Sequence, residues 1–74
     1  MLKALEMTDQ DSCLNKAEDA EMLFVLLGRD MAAPSTIRFW VRERIRLGKN
    51  VPGDAQTTEA LRCANSMEGI EPGL

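Results

Sequence analysis

Histidine and tyrosine are absent from this chain of 74 residues, and it holds only two cysteines, two phenylalanines and one tryptophan. Without histidine there is no Ser-His-Asp or Cys-His catalysis, no histidine-ligated zinc and no imidazole proton relay. Two thiols, Cys13 and Cys63, cannot close a four-thiolate metal site. The longest apolar run, Met22 to Leu27, has six residues, against roughly 20 needed to span a bilayer. Met1-Leu2-Lys3-Ala4-Leu5-Glu6 turns acidic at once, unlike a secretory leader. There is no glycine-rich phosphate loop, no Cys-x-x-Cys and no carboxylate pair at a telling spacing. Asp9, Asp11 and Glu18 lack the glycine and terminal glutamate of a calcium loop. These absences predict a protein that is not an enzyme and carries no cofactor and no metal.

What is present is an ordinary globular composition, 45% hydrophobic and 28% charged. The length allows one domain, with a core that rarely supplies more than about 3–5 kcal/mol. The net charge of −3 hides a segregation. Residues 1–21 carry −4, residues 22–49 carry +4, and residues 50–74 carry −3. A basic middle between acidic ends either neutralises itself, within one chain or between subunits, or forms a local anion site.

Periodicity and punctuation predict an all-α fold, a small bundle of about three helices with a short extra N-terminal turn near Met1–Met7. Residues 1–12 read as a flexible arm, 13–69 as a single helical domain and 70–74 as a disordered tail. From the helical spacing of Leu14, Ala17, Glu21 and Phe24, a first helix is expected to start after Asp11 or Ser12, or to re-initiate near Asp19, and to run to about Arg29, with a short strand at 23–27 as the competing reading. Pro34 suits the first turn of a second helix, Pro34–Leu47, with Gly48 as its cap. Ile37, Trp40, Val41 and Ile45 form its inner stripe. Asp54 is an N-cap for a third helix, Ala55–Glu68, closed by Gly69, with Ala60, Leu61, Ala64 and Met67 inward. In a reducing compartment the two cysteines stay unpaired, Cys63 as a small apolar residue and Cys13 as a free thiol.

The second helix carries the candidate chemistry. Arg38, Arg42 and Arg46 recur every fourth residue, and guanidinium forks suit phosphate and carboxylate. A solvated face that complements the helix dipole is the plain alternative. Arg29-Asp30 stands at a break, where Asp30 either accepts backbone N–H groups or pairs with an arginine, and where Arg29 and Ser35 face an anion at the helix start. Phe39 lies off the inner stripe and offers a ring for base stacking. The expected ligand site is therefore Arg29, Ser35, Arg38, Phe39 and Arg42, set at a subunit boundary. Met22, Phe24, Leu27, Phe39 and Leu47 form surplus apolar surface and are the expected interface of a homo-oligomer, dimer or higher.

Two resemblances bear on function. Ser35-Thr36-Ile37-Arg38-Phe39-Trp40 resembles the opening of the recognition helix in regulators of the mercury-resistance type. That implies a helix-turn-helix-like DNA-binding regulator using helix 34–47, although Met31 falls where the turn usually has glycine. The acidic overall balance also disfavours DNA. Glu21 through Trp40, with Phe24-Val25-Leu26-Leu27-Gly28-Arg29-Asp30, Ala33-Pro34, Ile37 and Trp40, resembles a group of small bacteriophage and prophage proteins. Glu59-Ala60-Leu61, Cys63-Ala64 and Met67-Glu68 are also similar to that group. This resemblance implies a phage accessory protein in the cytoplasm of the bacterial host cell. Its action is expected to be by binding: counter-defence that sequesters an anionic nucleotide signal or inhibits a host protein.

Overall fold

The computed structural model of the chain describes residues 2–70. Four helices follow one another: α1 (Lys3–Thr8), α2 (Cys13–Lys16), α3 (Ala33–Arg46) and α4 (Ala55–Met67). No strand occurs among the described residues. The fold is all-α and small. Residues 71–74, most of the expected tail, lie outside the described residues, and Ile70 is exposed.

α1 and α2 are too short to persist as isolated helices. They hold each other through polar capping. Ser12 accepts the Asn15 backbone N–H at 3.1 Å and donates its hydroxyl to the Glu6 carbonyl at 2.6 Å. Asn15 Nδ2 donates to the carbonyls of Glu6, Met7 and Asp9 at 3.1, 3.1 and 2.8 Å. Carbonyls orphaned at the end of α1 are thereby satisfied by the start of α2, and Ser12 is buried. The stretch read as an arm thus carries the α1 helix.

The expected helix from residue 13 to Arg29 is not formed. α2 stops at Lys16, and Ala17 already has extended geometry (φ −65°, ψ 140°). Glu18, Asp19 and Glu21 follow immediately, where acids oppose the negative end of the helix dipole and repel one another. Met22 to Leu27 then run without helix, turn or bend. This stretch is apolar on every side, so no amphipathic face selects a helical period. The competing strand is not formed either, because no neighbouring segment pairs with it. The helical domain expected over 13–69 is interrupted across residues 17–32.

α3 and α4 match their expected bounds to within one residue. Ala32 N-caps α3 without a side-chain bond, Pro34 occupies its first turn, and Gly48 follows with φ +74°. Asp54 caps α4 by accepting the Thr57 N–H at 2.8 Å, and Gly69 follows at φ +78°. The two helices form an antiparallel hairpin. Ala33, Val41 and Ala64 are its buried apolar core, with Thr57 fully buried beside them. α1 packs on α2 and α3 on α4. The two pairs face each other across a groove.

Candidate functional site

The outer side of α3 holds four of the five residues expected to bind ligand. Ser35, Arg38, Phe39 and Arg42 sit at i, i+3, i+4 and i+7 of one helix, hence on one face. Their side chains have different partners. Arg38 reaches α4 and its cap: Nη1 meets Glu68 Oε1 at 2.6 Å, and Nη2 donates to Glu68 Oε2 at 3.3 Å and Asn65 Oδ1 at 2.9 Å. This contact raises the Arg38 pKa and holds the Glu68 carboxyl below its ordinary value. Arg46 donates from Nε and Nη2 to Glu43 at 3.0 and 2.6 Å, which lowers the Glu43 pKa in the same way. The Ser35 hydroxyl turns back to the Ala32 carbonyl at 3.3 Å, and Thr36 does likewise at 2.7 Å.

Arg42 differs. It is exposed, it forms no ion pair among the described residues although its charge helps to lower the Glu43 pKa, and its guanidinium carbon lies 5.9 Å from the centre of the exposed Phe39 ring. A guanidinium over an aromatic face is a cation–π contact. It leaves the N–H donors open to solvent. Arg29 stands apart, in the turn closed by Asp30 N–H to the Leu27 carbonyl at 3.0 Å. No hydrogen bond or ion pair among the described residues joins it to Arg38 or Arg42. Asp30 accepts the Ala32 N–H at 2.9 Å, the backbone role expected of it at this break.

On the opposite side of α3 lies the groove, with a cavity volume of about 540 Å³. Leu14, Leu23, Phe24, Val25 and Leu26 form one wall; Ile37, Trp40, Ala60, Cys63 and Met67 form the other. Trp40 was expected in the inner stripe. It keeps one face towards the groove while the Arg44 guanidinium covers its ring at 5.5 Å. Glu6, Gln56 and Glu59 supply polarity at the rim, and Glu6 Oε2 is shielded from solvent with no hydrogen-bond partner among the described residues. Both cysteines line this groove, and neither is in a disulfide among the described residues. Of the residues expected at an interface, Met22, Phe24, Leu27, Phe39 and Leu47 are all exposed.

Sequence reading missed Asn50, which it treated as part of a connector. Asn50 is buried and central to the α3–α4 turn: its Oδ1 accepts Arg44 Nε at 2.7 Å, and its Nδ2 donates to Asp54 Oδ2 at 2.9 Å and Gln56 Oε1 at 2.8 Å. The available signal was an amide between a basic helix end and the Asp54 cap, within reach of both.

No group of three or more metal-ligating side chains comes together among the described residues. No helix among them is long and apolar enough to cross a membrane. No family model, no curated protein and no solved structure matches the chain.

Proposed function

We propose that the chain is a non-catalytic capture protein of the phage accessory kind, serving counter-defence by sequestering an anionic nucleotide signal on the outer face of α3. The observation that carries this reading is the exposed Arg42–Phe39 pair with no acid bound to it. Guanidinium donors match phosphate oxygens, and an exposed ring offers a base a stacking surface. Arg38, one turn back and pinned by Glu68, adds positive charge without swinging free. Ser35 completes the face with a hydroxyl, while Arg29 is held elsewhere by its turn.

Calorimetry of the full chain against cyclic mono- and dinucleotides at low salt tests this. At least one member binds, and Phe39→Ala and Arg42→Gln each weaken it about tenfold or more, as loss of one stacking or charge-assisted contact does. Absence of heat with every member overturns the reading.

The groove favours a second reading, inhibition of a host protein that inserts an apolar segment bearing a donor for Glu6. Trp40 lines the groove and Phe39 does not. A groove ligand therefore shifts the emission of the single tryptophan, whereas a nucleotide on the Phe39 face leaves it in place. The DNA-binding alternative lacks support from the segment before α3, since residues 17–32 contain no helix to precede a recognition helix.

A further inference from the structure

The chain exposes 5954 Å², where a folded monomer of its mass exposes about 4,500 Å². The excess exceeds the roughly 800 Å² that one partner buries in a standard interface. Much of the uncovered apolar area lies in one place: Met22 is 96% exposed, Phe24 85% and Val25 72%. The backbone there is uncovered too. From Met22 to Leu26 no backbone N–H or carbonyl forms a hydrogen bond among the described residues, and the Leu27 carbonyl is taken by Asp30. A stretch without helix, turn or bend, with its donors and acceptors open and the β-favouring Phe24 and Val25 at its centre, is a strand without a sheet.

We infer that a second copy of this chain pairs with Met22–Leu27 as an antiparallel two-stranded ribbon, with the two-fold axis at Val25. The charges at the ends of the stretch choose the antiparallel sense. With Val25 opposite itself, Leu23 lies opposite Leu27 and Phe24 opposite Leu26. The stretch is bounded by the bend at Glu21 and the turn at Gly28 and Arg29, so Glu21 of one copy and the partner's Arg29 flank the same end of the ribbon and form an ion pair there. The symmetry makes that ion pair twice. A parallel pairing would instead set Glu21 beside Glu21 and Arg29 beside Arg29. Opposite charges across a strand pair stabilise it, and like charges destabilise it. Arg29 has no ion-pair partner within its own chain among the described residues. The occupant is a second copy because the same sequence, run antiparallel, supplies an apolar strand with an acid at one end and an arginine at the other.

Sedimentation of the full chain tests the pairing. The expected result is a dimer or an even-numbered assembly of dimers at micromolar concentration. Glu21→Arg and Arg29→Glu each weaken dimerisation about tenfold, because two attractive pairs become two repulsive ones. The double variant, Glu21→Arg with Arg29→Glu, restores it. Both positions are exposed, so circular dichroism of each variant keeps the helical signal of the parent. Amide exchange gives a readout independent of any substitution: at dimer concentration one alternating set of amides between Met22 and Leu27 is protected, and on dilution it is released. A chain that stays monomeric at hundreds of micromolar overturns the proposal. So does a dimer indifferent to both single charge reversals, or one whose residues 22–27 exchange freely. Nucleotide binding on α3 is measured separately and stands or falls alone.

Discussion

Asn50 and Asp54 show how few side chains organise the hairpin. One carboxylate oxygen of Asp54 caps α4 through the Thr57 N–H, and the other accepts Asn50 Nδ2 at 2.9 Å and the Val51 N–H at 3.1 Å. These donors, the Thr57 backbone first, hold the Asp54 carboxyl far below its ordinary 3.8. Arg38 lowers the Glu68 carboxyl, and Arg46 that of Glu43, from an ordinary 4.5. A carboxyl whose pKa is lower in the folded state stabilises the fold above its unfolded pKa, and that contribution is lost as pH falls through the folded value. The melting temperature should therefore stay level from neutral pH to about pH 5 and fall below about pH 4. Asp54→Asn should flatten part of that decline, measured by circular dichroism melts across the acid range. At neutral pH, Asp54→Ala should lower the melting temperature by roughly 5 °C, the usual consequence of losing an N-cap in a domain this small.

At the scale of the element, Gly48 ends α3 in a left-handed conformation, with nothing within 4 Å of where a Cβ would stand. Gly48→Ala meets no clash and suffers only the backbone penalty, about 1 kcal/mol. Ala64 is fully buried against α3. Ala64→Leu should overpack the hairpin and cost about 1–3 kcal/mol. Urea unfolding of both variants reads the two effects, and an Ala64→Leu chain as stable as the parent would mean that the helices part freely.

These two helices were legible because each boundary carries its own local chemistry: proline in the first turn, aspartate at the cap, glycine at each end. The failed helix had no such boundary. The spacing of Leu14, Ala17, Glu21 and Phe24 looked helical, but it ran through a cluster of acids into a stretch apolar all round, and neither fixes a face. On the outer side of α3 the helical repeat sets Ser35, Arg38, Phe39 and Arg42 on one face. It was blind to Glu68 and Asn65, which claim Arg38 from thirty and twenty-seven residues away. Asn50 was missed because a buried amide in a connector has no periodicity to show.

For the whole molecule, the radius of gyration is 12.6 Å, against about 11 Å for a compact chain of this length. The looseness comes from two helix pairs separated by a groove and joined by a stretch without secondary structure. Apolar surface this open should make stability depend on protein concentration. The melting temperature should rise as concentration is raised from micromolar to hundreds of micromolar, and a value independent of concentration would argue for a self-sufficient single chain.

The two latches of the α3–α4 hairpin differ in how much chain they close. Asn50 ties Arg44 to Asp54 and Gln56, so its bonds enclose only a few residues, whereas Arg38 and Glu68 close a loop of thirty. Short loops close at little entropic cost and form early; long ones form late. Folding should therefore begin at the turn and zip towards the open end. Stopped-flow measurements should find that Asn50→Ala slows refolding, because its contacts are already made at the barrier. Glu68→Gln should leave refolding nearly unchanged and speed unfolding instead. The hairpin would then come apart from the Arg38 end first, so breakage would start beside the face that carries Phe39 and Arg42.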